Sequence, residues 1–509
     1  MAKILTLDAG TSAVKCSLFS ENGELLGACA AEYPTYYPRE GWAEQREEDI
    51  LSAAVKAVRE LGKRAPVRDA DCVGLTGTMN GCIPIDESGK SLYPNMIHLD
   101  TRAQAQVDQI SREMGLERYY ALTGNRPDVH YGLPKMMWLK QNEPDVYKNA
   151  VSCVNTKDLL YGFLTGIWGQ SDYSDASLFG AMNISRRVWD DDVIRAAGVD
   201  RAKLPMLRPS TDVSGRLSAE KARLLGLREG TPVAVGAGDG PATTHGSGVF
   251  DESGAYLTVG SSAWAAALSK TPRFDKSQRA FHYTDIDENL VTVCGTVQCA
   301  ATALDYMLRD VLDITDGQGH IDFARAEEMC RQSPPGAKGL FFMPTLMGER
   351  CPWWDPNARG ALIGLSLSHT RADMVRAAYE GVAQELNLCV QVLRENGISA
   401  RRLILSGGGM KSAVFREIFP SVFGAVTQLH LNPREATSLG AAIAAGVGTG
   451  IWKSFAEAAR AVRTSPDVPP DPQMKALYEK HAPVFSALYG QMKDAMHASA
   501  GFTAREVRS

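Results

Sequence analysis

Two aspartates stand where a carboxylate can face a ligand. Asp8 ends an apolar run, Ile4-Leu5-Thr6-Leu7, and leads into Ala9-Gly10-Thr11-Ser12; Asp239 lies between glycines in Gly236-Ala237-Gly238-Asp239-Gly240-Pro241. A turn of Gly, Ser and Thr points backbone N–H groups and hydroxyls at one spot, which suits phosphate oxygens. The same plan returns where an apolar run carries Thr258 into Val259-Gly260-Ser261-Ser262. A carboxylate beside a phosphate is unfavourable unless a cation lies between them. Mg2+, held by one or two carboxylates plus nucleotide phosphates, resolves that conflict at Asp8. Phosphoryl transfer to an alcohol also needs a carboxylate to accept the hydroxyl proton, and Asp239 is the candidate. Taken alone, each turn is equally an ordinary tight hairpin, and Asp-Gly an ordinary self-bonded turn.

Three further stretches offer binding groups. Ser406-Gly407-Gly408-Gly409-Met410 follows a strand-like run and precedes a helical pattern, so a flat ligand or a phosphate can lie against its backbone. Thr78-Met79-Asn80-Gly81 and Asp100-Thr101-Arg102 each follow a strand-like run and present groups suited to hydroxyls. A P-loop is excluded: Gly89-Lys90-Ser91 would need glycine at 84, which is Pro84, and no complete G-x-G-x-x-G exists. ATP, if bound, is bound by another fold.

The elements that must hold these residues follow from periodicity. Residues 1–33 read as a hairpin with a second turn at Glu21-Asn22-Gly23-Glu24, 47–63 as a helix, and 71–77 as a buried strand. A helix opens at Pro134 and closes before Pro144; residues 230–248 read as a buried strand running into a glycine-rich loop. Strands alternating with helices indicate an α/β protein. Two strand–turn–strand units roughly 250 residues apart suggest two related halves, 1–245 and 246–509, packed about a cleft. The chain closes with a small-residue helix from Ala436.

The 509 residues exceed what one core supports, in keeping with two domains. A net charge of −5 speaks against nucleic-acid and acidic-membrane partners, and the uncharged run from Ala436 to Trp452 is too rich in Ala and Gly for a bilayer span. Ten scattered cysteines without C-x-x-C read as buried thiols in a reducing cytoplasm.

In this order the stretches resemble the FGGY family of carbohydrate kinases, nearest to its xylulokinase branch, over essentially the whole chain. Gly360 to Glu380 fits the family's second signature. Thr345 to Gly360 is similar to its Gly-Glu-Arg-x-Pro segment, and Pro134 to Leu139 to the end of its first signature, with Gly132 where Pro, Ser or Thr is usual. The resemblance implies two actin/hexokinase/Hsp70-like (ribonuclease H-like) domains flanking a catalytic cleft, with ATP and Mg2+. By motif, Asp8 would orient the metal–phosphate complex. Gly10, Thr11, Ser12 and Lys15 would form the first phosphate loop, Thr258, Gly260 and Ser261 the second. Gly407, Gly408, Gly409 and Met410 would face the adenosine, while Asp239 would deprotonate the sugar. Met79, Asn80, Asp100, Arg102, Asp239 and Gly240 would contact the sugar. D-Xylulose is the expected substrate, with gluconate, another ketose or a polyol as alternatives; a sugar acid would want a cation, and Arg102 and Lys135 are the candidates. Asn80 stands for a usual His, Ile97-His98-Leu99 for a usual Trp-Asn before Asp100, and Gly240 for a usual Asn, so other hydroxyls would be left unpaired. His98 or His245 would be the compensating groups. Trp353 and Trp354 would stack on the sugar or pack a seam. An actin-like ATP-binding protein without catalysis, or a sugar-sensing DNA-binding regulator, is the alternative of another class. A homodimer is expected from the resemblance alone.

Overall fold

The computed structural model describes the backbone of residues 1–506 and the side chains of residues 1–501. Its opening segment is a three-stranded antiparallel meander, β1 (Lys3–Ala9), β2 (Ala13–Ser20) and β3 (Leu25–Glu32), with Asp8 opposite Lys15. On the other side of β1 runs β4 (Cys72–Gly77), parallel to it, followed by the short strands β5 (Gly215–Arg216), β6 (Pro232–Val233) and β7 (Ala237–Gly238). The expected helix is α1 (Glu47–Gly62); its Ile50, Ala54, Val58 and Leu61 cover one face of this sheet, burying the apolar runs of β1 and β4 from that side. A helix-rich region between β4 and β5 builds a core of its own and includes α2 (Gly132–Asn142), which starts two residues before the expected Pro134.

The second half repeats the plan. Strands β8 (Gly254–Val259) and β9 (Ala263–Ser269) form the hairpin, β10 (Phe281–Thr284) and β11 (Val291–Val297) extend it antiparallel, and β12 (Arg402–Ser406) runs parallel to β8 and beside β13 (Val426–Leu429). Asp8 pairs across β1–β4 with Thr76, and Thr258 across β8–β12 with Ser406, so the two residues occupy the same station of two like sheets. The long helix α4 (Arg371–Glu395), opened by a Thr370–Asp373 capping box, covers the second sheet. The second signature therefore serves, in part, to start this helix.

One expectation is corrected. The glycine-rich segment after residue 236 is not a loop: Asp239–Gly246 is a helix, α3, with Gly238 as its N-cap. Its sequence is a poor helix former, but its Gly246 lies flat against the small-residue helix α5 (Ala436–Gly448), where a Cβ would stand 1.7 Å from the Ala436 carbonyl oxygen. Reciprocally, a Cβ on Gly440 would stand 1.8 Å from the Ala242 oxygen. Tertiary packing thus overrides local propensity. The boundary expected near residue 245 falls within the last turn of α3, yet α5 packs Leu439, Ala442 and Ile443 against Ile4, Phe19 and Cys72 of the first sheet. The small-residue helix from Ala436 is not the closing element expected: a further helix, α6 (Pro472–Glu506), follows it and is the last element among the described residues.

Candidate active site

A cavity of about 400 Å³ opens beyond the ends of β1, β4 and β7, facing β10 and β11. Its wall includes Thr11, Met79, Asn80, Asp239 and Gly240 from the expected set, joined by Tyr283, Arg350 and Thr437.

The first turn is fixed from behind. Its three carbonyls are all engaged: Tyr33 Oη donates to Gly10, Gln45 Nε2 to Thr11 at 2.7 Å, and the Tyr33 N–H to Ser12 at 3.1 Å. In a trans peptide the next N–H points opposite its carbonyl, so the Thr11 and Ser12 amides turn the other way. That is the arrangement an oxyanion needs. The second turn is built alike, with Gly260 and Ser261 carbonyls accepting from Ala301 and Ala300 at 3.0 and 2.9 Å. Beside it the Thr258 hydroxyl is buried with no protein partner. Gly407 has a φ of +91° and no room for a Cβ, which would lie 2.4 Å from the Val259 oxygen; Gly409 would meet the Val259 side chain at 2.7 Å. Residues 407–410 therefore lie flat across the end of β8, with Met410 buried beneath and open space over Gly408.

Asp239 is the first residue of α3, and its own Oδ1 accepts the Gly240 N–H at 2.9 Å. Burial, with the charge of Asp8 added, pushes its carboxyl up to about 7. Burial also lifts Asp8 to about 6; Lys15 opposes that shift and Glu435 reinforces it. Thr243, one turn after Asp239, bonds the Asp239 carbonyl and lies 2.8 Å from the Thr437 hydroxyl at the start of α5, so both helices meet at the cavity floor.

Several expected contacts lie elsewhere. Lys15 Nζ is held by Glu435 at 2.9 Å and the Arg434 carbonyl. Asp100 and Arg102 face each other at 2.6 Å, away from the cavity; Asp100 also takes the Ala43 N–H, and the Arg102 guanidinium pairs with Glu44 and stacks 3.5 Å from the Trp42 ring centroid. They brace the wall and do not line it. Lys135 is fully buried with its ammonium on three carbonyls. His245 is buried against Asp285 at 2.9 Å, outside the cavity, whereas His98 lines it. The two tryptophans divide the alternatives: Trp353 stacks on Tyr489 at 4.2 Å, and Trp354 lines the cavity. The space beside Gly240 is filled by Tyr283, whose ring a Cβ on Gly240 would approach to 3.3 Å.

Sequence reasoning did not mark Asp128, His130, Arg350 or Thr437, all of which line the cavity. Arg350 lies inside the quoted Gly-Glu-Arg segment, which is the one signal that pointed to it. Asp128 would be raised by burial, but hydrogen bonds and charge from His130, with Arg350 nearby, hold it down at about 2. His98 is held down to about 4, first by burial and then by its neighbours Lys135, His130 and Arg350.

If Asp239 accepts a proton during turnover, its raised proton affinity gives a pH signature. Below about pH 7 the free enzyme's carboxylate is protonated and cannot act, so log kcat/KM should fall with unit slope on the acid side and flatten above. Charge brought to Asp8 by a bound cation moves this limb to lower pH. A rate independent of pH from 5 to 8 would remove Asp239 from that role.

Comparison with known proteins agrees with the geometry. The N-terminal domain model of the FGGY family of carbohydrate kinases matches residues 3–246, and the C-terminal domain model residues 255–449. The chain is 27% identical over 497 residues to a xylulose kinase of Bacillus subtilis, covering 97% of this chain and 98% of that one. It is 29% identical over 458 residues to a gluconokinase of the same organism, covering 89% and 88%. The crystal structure of a xylulose kinase from Rhodospirillum rubrum superimposes with a TM-score of 0.90 at 27% identity, over 97% of this chain and all of that one. The two like sheets are thus the two domains of an actin/hexokinase-type fold. Among the described residues no helix is long and apolar enough to cross a membrane.

Proposed function

Because the chain belongs to the FGGY family of carbohydrate kinases, ATP-dependent phosphotransferases with an alcohol acceptor, we propose that it phosphorylates a ketopentose, D-xylulose, at its terminal hydroxyl, with Asp239 as general base. The observation that carries this reading is Asp239 itself. A half-open carboxylate with a proton affinity near neutrality stands in a sugar-sized cavity, beside a turn whose carbonyls are all engaged from behind, which leaves its amides free for an anion.

In this reading the sugar oxygen attacks the γ-phosphorus, the bond to the β–γ bridging oxygen breaks, and the hydroxyl proton passes to Asp239. Gly240 N–H holds one carboxylate oxygen, leaving the other to receive the proton. The Thr11 and Ser12 amides and the amides of the 260–262 turn would hold phosphate oxygens, and residues 407–410 would carry the adenosine. Asp8 fits Mg2+: burial raises its proton affinity, and its charge adds to the burial that raises Asp239, so a cation at Asp8 would relieve both carboxylates. When bound there, the cation would neutralise phosphate charge.

The two cations that would suit a sugar acid, Arg102 and Lys135, are engaged elsewhere. The cation that does face the cavity, Arg350, feels Asp128, so an entering carboxylate would meet an acid as well. This favours an uncharged sugar. The gluconokinase relative and the lack of any ion pair to Arg350 among the described residues support gluconate as the second reading. An ADP-release assay across D-xylulose, D-ribulose, gluconate and xylitol decides between them. D-Xylulose is expected to exceed gluconate in kcat/KM by tenfold or more. The reverse order overturns the substrate and leaves the chemistry intact.

A further inference from the structure

Lys135 is the K of the Pro-Lys-Met-Met-Trp-Leu motif, on α2, and no part of it reaches solvent. Burial pulls the Lys135 ammonium down to about 7, and keeping its charge at all requires that its three protons be met. Here all three are, by backbone carbonyls from three separate segments: Asn80 at 2.6 Å, His130 at 2.7 Å and Ile97 at 2.8 Å. Each of these segments delivers a polar side chain to the cavity wall. Asn80 is delivered directly, His98 by the residue after Ile97, and His130 together with Asp128, which it hydrogen-bonds.

No regular secondary structure pins these segments to one another at these points. Asn80 has a φ of +70°, in the left-handed region that Asn tolerates but does not seek, and its side-chain Oδ1 is buried with no protein partner. The carbonyl bond to Lys135 holds that backbone in place. The approach is close as well: a Cβ on Gly132 would meet the Phe179 ring at 2.4 Å and the Gly81 oxygen at 2.8 Å, which accounts for glycine at this signature position. The pocket wall is therefore three chain segments drawn onto one ammonium.

We propose that Lys135 is the positioning residue of the acceptor pocket: it touches no substrate but fixes Asn80, His98 and His130 relative to one another, and so sets acceptor affinity. This rests on the reading that the cavity holds the sugar. It explains why a lysine stands in an otherwise apolar helix face, and why two of the places at which the chain departs from the xylulokinase pattern, Asn80 and His98, share one anchor. Preorganised contacts of this kind lower the ordering cost of binding, and 1 Å of misplacement costs heavily.

The test uses the full-length enzyme with D-xylulose and MgATP. Lys135→Met removes all three donors, and Lys135→Gln restores up to two through its amide. The acceptor KM is expected to rise about thirtyfold or more in Lys135→Met and by less in Lys135→Gln. The KM for MgATP and kcat should stay within about threefold, a split that general loosening of the fold would not give. Asn80→Ala and His98→Ala, measured alongside, separate the two layers of the argument. If they raise the acceptor KM while a folded Lys135→Met or Lys135→Gln does not, the positioning role is overturned and the cavity assignment stands. If neither they nor the lysine variants alter it, the cavity assignment falls. Should Lys135→Met fail to fold, Lys135→Gln decides: an unchanged acceptor KM there overturns the proposal, and a selective rise supports it.

Discussion

Asp239→Asn is expected to lower kcat by about 10²–10⁴-fold, the usual contribution of a general base, while leaving MgATP affinity within about threefold and making the protein more stable. The two effects share one cause. Burial, with Asp8 nearby, lifts the Asp239 carboxyl from its ordinary 3.8 to about 7. An acid whose folded-state proton affinity is raised loses stability as pH climbs from the unfolded value towards the folded one, because the folded protein must give up a proton it holds more tightly. The gap corresponds to at most about 4 kcal/mol, and less in practice because the carboxylate faces an open cavity. Asparagine keeps the shape and the Gly240 N–H acceptor without the charge. Calorimetry should therefore show Asp239→Asn melting a few degrees above the wild type at pH 8, with the difference vanishing near pH 4. A variant that is inactive but no more stable at pH 8 would mean that the site is not strained by this charge. One that is more stable yet fully active would mean that the proton goes elsewhere.

Gly440→Val is expected to be among the most damaging single substitutions in the scaffold, costing about 3 kcal/mol or more, the upper end of what overpacking costs, because the clash is with backbone. Helix interiors ordinarily gain about 0.5–1 kcal/mol when glycine becomes alanine. Gly440 is the opposite case, because a Cβ there would lie 1.8 Å from the Ala242 carbonyl oxygen and 2.4 Å from its carbon, and backbone cannot step aside cheaply. The clash sits where α5, whose second residue is Thr437, crosses α3, which begins with Asp239. Helix separation would thus displace the base from the cavity floor as well as lower Tm. Gly490→Val is the control: it is an exposed mid-helix glycine with open space around it, and the same chemical change there should be close to neutral. If both substitutions behave alike, the close helix crossing is not what holds α3 in place.

The architecture was legible in the sequence because it is written in local, periodic signals. The meander of residues 3–32 and its counterpart from Gly254 are strong β patterns broken by Gly-Ser-Thr turns, and α1 shows a clean 3.6-residue stripe. What stayed hidden depends on contacts between distant segments. Asp-Gly-Pro-Ala-Thr-Thr-His-Gly reads as loop by composition and is helix only because α5 offers it a glycine face. Asp100 and Arg102 carry the residue types of a sugar site, but Trp42, Glu44 and Ala43 claim both from some 60 residues away. Asp128, His130 and Arg350 converge on one cavity from loops more than 200 residues apart, and no spacing rule joins them. The phosphate turns show the middle case: the residues were readable, but the reason they work lies in Tyr33 and Gln45 behind them.

The central claim is transfer of the γ-phosphate to a sugar hydroxyl with Asp239 taking the proton. A single-turnover quench of excess enzyme with γ-labelled MgATP and D-xylulose tests it most directly, run for the wild type and Asp239→Asn. The account predicts label appearing in sugar phosphate in equal amount to ADP for the wild type, and a rate at least a hundredfold lower for the variant. Label released as inorganic phosphate with no sugar phosphate, or a variant transferring at the wild-type rate, would contradict it.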